Sequence, residues 1–215
     1  MIDRGQMTKN GGRAPDWIQG LVILAVLLGG CSGLQPPPLD APNLHVLGSK
    51  SMARAAQPKR DLVLEVSMPR SWPGFDTAQM AYVQRPYELD YFAANRWADT
   101  PARMLDPLLA QALEQSGSFK AVVHSPSPVP SDIRFNSELV RLQQDFTTRP
   151  SRVEFTLRLQ LIDVRGKRVI ATKLLDEAEA APTDDAYGGV TAANLALQRI
   201  LQEAVDFCIE ESSHR

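Results

Sequence analysis

Residues 153–175 read VEFTLRLQLIDVRGKRVIATKLL, and the phase of this stretch decides the fold. Val153, Phe155, Leu157, Leu159 and Leu161 alternate with Glu154, Thr156, Arg158 and Gln160, the period-two pattern of a strand with one buried and one wet face. Asp163 to Lys167 supplies turn chemistry around Gly166, and Arg168 to Leu175 returns, so the stretch is expected to form a long antiparallel hairpin. Ile133 to Phe146 precedes it as a long partner strand whose apolar phase slips between Leu139 and Val140, which predicts a bulge. After the hairpin, Val190, Ala193, Leu197, Ile200, Leu201, Ala204, Val205 and Cys208 recur at helical spacing and predict a long amphipathic helix.

Working toward the N-terminus, the segment between Gly117 and Ile133 holds a short strand, FKAVV at 119–123, and a proline-broken loop, HSPSPVPSD at 124–132. Thr100-Pro101 places an N-cap and a proline at the first helical position, ahead of Met104, Leu105, Leu108, Leu109, Ala112 and Leu113. Pro107 lies inside that run, so its first turn is expected to be kinked or 3₁₀-like. Gln79 to Val83 and the residues from Tyr87 onward form a second expected hairpin, turning at Gln84-Arg85-Pro86. The same alternation assigns Tyr87, Leu89, Tyr91 and Ala93 to its inner face, and Glu88 and Asp90 to its outer face. Asp61 to Met68 alternates Leu62, Leu64, Val66 and Met68 as another half-buried strand, with Leu44 to Leu47 as a short first strand before it. The economical reading is α+β: a single two-layer domain, mainly antiparallel sheet, with two main helices packed on one face.

The first thirty residues have a different character. Ile18 to Leu28, IQGLVILAVLL, is apolar but too short to cross a bilayer comfortably, and Arg4, Lys9 and Arg13 outnumber Asp3 and Asp16 ahead of it. Leu28-Gly29-Gly30-Cys31 resembles the lipobox of bacterial lipoproteins, in which the thiol is diacylglycerated and the chain is cut before the cysteine. Residues 1–30 are therefore expected to be a signal peptide read from Met1 or Met7, with Cys31 the lipidated first residue of the mature chain. Three acyl chains hold a protein on a membrane far more firmly than one. Ser32 at the next position is not the aspartate associated with inner-membrane retention, which points to the outer membrane. Residues 31–60 are rich in Pro, Ser and Ala, and the prolines at 36–38 favour an extended polyproline tether, leaving 61–215 as the folded domain.

Composition and motifs narrow the function. With 23 basic and 25 acidic residues there is no basic stripe for nucleic acid. His45, His124 and His214 are scattered and carry no metal-ligand spacing, so no metal is expected. No glycine loop with lysine marks a nucleotide site, no G-x-S-x-G marks a serine hydrolase, and no cofactor is implied. Asp184-Asp185 and Glu210-Glu211 sit at helix ends, where paired carboxylates form solvated faces. Cys208 falls on the apolar stripe of the last helix and is expected to be core rather than a nucleophile. The chain is expected not to be an enzyme.

One stretch is more informative than these absences: RPYELDYFAANRWADTP, residues 85–101. Together with the Cys31 lipobox, WPGFDTAQMAYV at 72–83, the long hairpin and the final helix, it resembles the ABC-type transport auxiliary lipoproteins, PqiC-like components of MCE transport systems. Arg96-Trp97-Ala98 is the most specific element of that likeness. The resemblance implies a non-enzymatic domain anchored at the periplasmic face of the outer membrane. It also implies an MCE-domain periplasmic protein with its ABC transporter or permease as partner, and self-association into homo-oligomers. One departure is visible: the family often has Tyr-Tyr-x-Leu soon after the cysteine, whereas here LHVL, 44–47, follows a long proline tether. Tyr87, Tyr91, Arg96 and Trp97 are the candidate residues for anchoring either the core or an interface. A stand-alone lipid-binding or envelope-assembly lipoprotein is the competing reading, and it requires a concave apolar pocket.

Overall fold

The computed structural model describes residues 41–48 and 59–214. The signal segment, Cys31, Ser32 and the proline run lie outside the described residues. The long hairpin forms as the alternation requires, from β8 (Arg152–Asp163) and β9 (Arg168–Ala180), with Leu157 opposite Leu175. β9 continues five residues past the expected end at Leu175. β7 (Ile133–Asp145) runs antiparallel along the whole of β8, and its register shifts between Leu139 and Arg141, the bulge expected from the phase slip.

The opposite edge of β7 is shared by three shorter strands, all parallel to it. β2 (Arg60–Val66) pairs Leu64 with Ile133, β3 (Arg70–Ser71) pairs Arg70 with Glu138, and β4 (Gln79–Val83) pairs Ala81 with Gln143. Outside β2 lies β6 (Phe119–His124), again parallel; outside β4 lies β5 (Asp90–Trp97), antiparallel. β1 (Asn43–His45) adds to β5 in parallel, His45 opposite Trp97. The sheet is thus mostly antiparallel by ladder length, with parallel pairings confined to its branches. Met68, expected on the inner face of the first long strand, is 52% exposed. The chain leaves β7 at Ser67 and rejoins it only at Arg70, so the alternation does not carry through Pro69.

Two helices cover one face. α1 (Pro101–Gln115) begins with Pro101 at the predicted position, although the Thr100 side chain makes no cap bond. All of α1 is α-helical, so the 3₁₀-like first turn expected from Pro107 does not form. Pro107 and Arg103, whose carbonyl would otherwise receive the missing amide, are both exposed. α2 (Ala186–Glu211) buries every residue of the predicted stripe together with Ala192, Ala196, Phe207 and Ile209. Its many alanines let the helix lie close on the sheet, above β8 and β9. Phe135, Phe155, Leu157, Leu159, Leu161, Leu105, Leu109 and Leu197 fill the layer between sheet and helices with essentially no exposure. The fold class is α+β, one domain of two layers.

Candidate functional site

The four candidate residues of the 85–101 stretch separate into distinct roles. Trp97 is 4% exposed and lies beside Met80, Phe92, Leu142, Val153 and Ala193 around a void of about 10 Å³, room for a water molecule and no more. Its amide donates to the Ala78 carbonyl at 2.8 Å, fixing the end of β5. Tyr91 is half-buried and its hydroxyl donates to the Gly74 carbonyl at 2.9 Å, which ties the 72–76 turn to the sheet. Arg96 is exposed on β5, in register with Leu44 and Gln79.

Tyr87 departs most from expectation. β5 begins at Asp90 rather than Tyr87, so Tyr87 sits in the turn with φ of 68° and a fully exposed ring. The predicted inner face of this arm is also corrected, since Leu89 and Ala93 are exposed. A register shift between Gln79 and Ala81 breaks the simple alternation, and Phe92 turns inward instead. Phe92 meets Tyr82 at 4.7 Å and Phe146 at 6.3 Å between ring centroids. The sequence reading missed this aromatic cluster because Tyr82 lies on β4 and Phe146 just past the end of β7, far apart in the chain.

Around Tyr87 the turn is closed by one ion pair and one backbone hydrogen bond. Arg85 Nε lies 2.8 Å from one Glu88 oxygen and its Nη2 donates to the other at 3.1 Å, while the Glu88 amide donates to the Arg85 carbonyl. Beside it opens a groove of about 540 Å³ lined by Phe75, Val83, Pro86, Leu89, Gln143 and Thr147. A second groove, of about 410 Å³, is polar and borders Arg70, Asn136, Glu138, Arg158 and Gln160.

The sheet face away from the helices carries a ladder of ion pairs. Arg134 meets Glu65 at 3.1 Å, Arg158 meets Glu138 at 3.5 Å, Arg141 bridges Glu154 and Asp176, and Arg152 bridges Asp145 and Glu154. This face suits water or a polar protein surface, not an acyl chain. Burial pushes the Asp145 carboxyl up, but the Thr147 hydroxyl and amide and the charge of Arg152 outweigh it and hold the group below its ordinary 3.8. Glu65 behaves likewise through Ser131, Ser125 and Arg134, and Asp176 is held down chiefly by the Thr156 hydroxyl. Carboxyls depressed in the folded state stabilise it fully above their unfolded values and lose that contribution as pH falls through the folded ones. Thermal melts are accordingly expected to be flat from neutrality to about pH 5 and to fall steadily below it. A melting temperature that rises on acidification to pH 3 would contradict this.

Where the chain enters α2, paired acids do more than solvate a helix end. Asp185 accepts from the Gly188 amide at 2.7 Å as N-cap, and Asp184 accepts from the Ser151 amide at 2.7 Å, stapling the β7–β8 loop to the helix start. Gln144 completes the junction by donating to Ser151 Oγ and to the Asp185 carbonyl. Hydrogen bonds from Gly188 and Ser151 hold both aspartates below the usual range.

Cys208 is wholly buried, and burial pushes its thiol far above the ordinary cysteine value. A thiol reagent is expected to label it only in denaturant, which mass spectrometry of labelled protein checks. Among the described residues, no group of three or more His, Cys, Asp or Glu is placed to hold a metal ion. No described helix is long and apolar enough to cross a membrane.

Comparisons with known proteins agree with this architecture. No curated protein matches the chain in sequence. The crystal structure of protein XCC0632 from Xanthomonas campestris shares the fold at a TM-score of 0.73 and 20% identity, covering 80% of this chain and 98% of that one. Hypothetical protein CT253 from Chlamydia trachomatis follows at a TM-score of 0.52 and 13% identity, covering 73% and 100%. Residues 44–205, from β1 to within the last turns of α2, match the family described as the ABC-type transport auxiliary lipoprotein component, and the chain belongs to that family.

Proposed function

We propose that this chain is the outer-membrane-anchored auxiliary subunit of an MCE-type ABC system that moves lipid between the inner and outer membranes, and that it acts by docking and assembly. Residues 1–30 are the signal, 31–60 the lipidated tether that also carries β1, and 61–215 the periplasmic domain. Cys31 bears the acyl chains, and Ser32 leaves the protein free to reach the outer membrane. The partners are an MCE-domain protein with its transporter or permease, and further copies of the chain. The reading assigns the domain no catalysis and no cofactor.

Family membership across 44–205 is the observation that carries this reading. The packed interior favours docking over carriage. The void beside Trp97 is about 10 Å³, whereas ligand pockets run to roughly 300–1,000 Å³ of mainly apolar lining. The larger grooves are open to solvent: the 410 Å³ one is polar, and the 540 Å³ one mixes Phe75, Val83 and Leu89 with Gln143, Asp145 and Glu154.

Native mass spectrometry and membrane fractionation of the mature protein test the proposal together. The wild type is expected in the outer-membrane fraction, palmitate-labelled and without stoichiometric non-covalent phospholipid. Cys31→Ala is expected to lose the label and the membrane association. Palmitate labelling that survives Cys31→Ala would refute the anchor, and one phospholipid bound per domain would favour the stand-alone carrier.

A further inference from the structure

The end of the domain that carries the β4–β5 turn has three properties found together nowhere else among the described residues. Tyr87 is held at φ 68°, a conformation a bulky side chain adopts at a cost, and its ring stands entirely in solvent. The Arg85–Glu88 fork keeps that turn from relaxing. Leu89, 37% exposed, and Phe75 stand beside it, and Trp72, 48% exposed, sits at the start of the adjoining turn. A strained, braced turn that displays an aromatic ring is costly to keep unless the ring has something to meet.

The direction of β1 says what lies nearby. β1 is parallel to β5, with Asn43 opposite Asn95, so β1 starts from the Asp90 side of β5, the side of the Tyr87 turn. From Asn95, Asp90 lies about 16 Å further along β5 at the rise of a strand. The eleven residues 32–42 include four prolines and span about 35 Å when extended. The described chain thus begins near the Tyr87 end of β5, and a tether of this length is long enough to join an acyl anchor to that end.

We propose that the Tyr87 turn, with Leu89 and Phe75 beside it, is a lipid-facing contact that rests on the bilayer holding the acyl anchor and so orients the domain on its tether. Tyr suits this position because an apolar ring with a polar tip settles at the headgroup level. An acyl anchor alone fixes distance from the membrane but not orientation. A second, weak contact beside the tether presents the opposite end, with the 124–132 loop, toward the periplasm. This inference rests on the lipidation of Cys31 proposed above.

The test uses the full mature lipoprotein in vesicles of phosphatidylethanolamine and phosphatidylglycerol containing a nitroxide-labelled phospholipid. Tyr87→Cys carries an environment-sensitive fluorophore, and Val129→Cys carries the same label at the far end. Cys208 stays unlabelled because it is buried. Severalfold stronger quenching at position 87 than at 129, with a blue-shifted emission, is the expected result. Equal quenching at the two positions, weak or strong, with the protein co-floating on the vesicles, overturns the proposed contact alone. Protein that fails to co-float removes the Cys31 anchor and this contact with it.

Discussion

Gly188→Ala is expected to destabilise the domain by about 3 kcal/mol, against the usual gain when a helical glycine becomes alanine. A Cβ at this position would stand 2.0 Å from the Thr183 carbonyl oxygen and 2.6 Å from its hydroxyl oxygen. The carbonyl is backbone and cannot swing aside, so α2 must shift or the 181–185 loop must open. Either movement breaks the Asp185 cap, the Asp184 bond to Ser151 and the Gln144 bridge. Urea denaturation checks the effect, read as a lower midpoint at an unchanged slope. Gly189→Ala is a useful comparison, because its Cβ would meet the Gln144 Oε1 at 2.2 Å. That oxygen belongs to a side chain and lacks a hydrogen-bond partner, so the clash can relax more cheaply. Gly188→Ala should therefore be the more damaging of the two.

The second large effect separates the two aromatics of the 85–101 stretch. Trp97→Ala is expected to cost about 3–5 kcal/mol, because the removed indole leaves a cavity among Met80, Phe92 and Leu142 that the surrounding strands cannot collapse to fill. Tyr87→Ala should change stability by no more than about 0.5 kcal/mol, since an exposed ring contributes little to the folded state. Denaturation of the two variants side by side reads this out. A Tyr87→Ala variant as unstable as Trp97→Ala would mean that the turn is part of the core.

Much of the fold was legible in local pattern. The strict alternation at 153–161 predicted β8, the phase slip at Leu139 predicted the β7 bulge, and the helical stripe from Val190 to Cys208 predicted the buried face of α2. What the pattern could not carry was pairing between distant strands. Nothing local says that β2, β3 and β4 divide one edge of β7, or that β1 lies parallel to β5, because those registers depend on backbone partners far along the chain. Alternation also misplaced Tyr87. Its backbone leaves the extended region there, and one residue at φ 68° delays the start of β5 and resets which side chains face inward. The α2 junction was half legible, since Asp185 followed by a helical run is a cap signal. The need for glycine at 188 came from a loop carbonyl that only the folded chain brings close.

The family itself was legible in order and motif; within its most specific element Trp97 is buried and Arg96 beside it faces solvent.

The most direct measurement is photo-cross-linking in intact cell envelopes, with a photoreactive residue at exposed Arg96 of the full-length lipoprotein and identification of the linked species by mass spectrometry. Recovery of an MCE-domain protein, or of a second copy of the chain in complex with one, is the predicted result. Envelopes in which no MCE-domain protein is recovered from this or any other exposed position, in cells whose lipid balance is unchanged by deletion of the gene, would contradict the account.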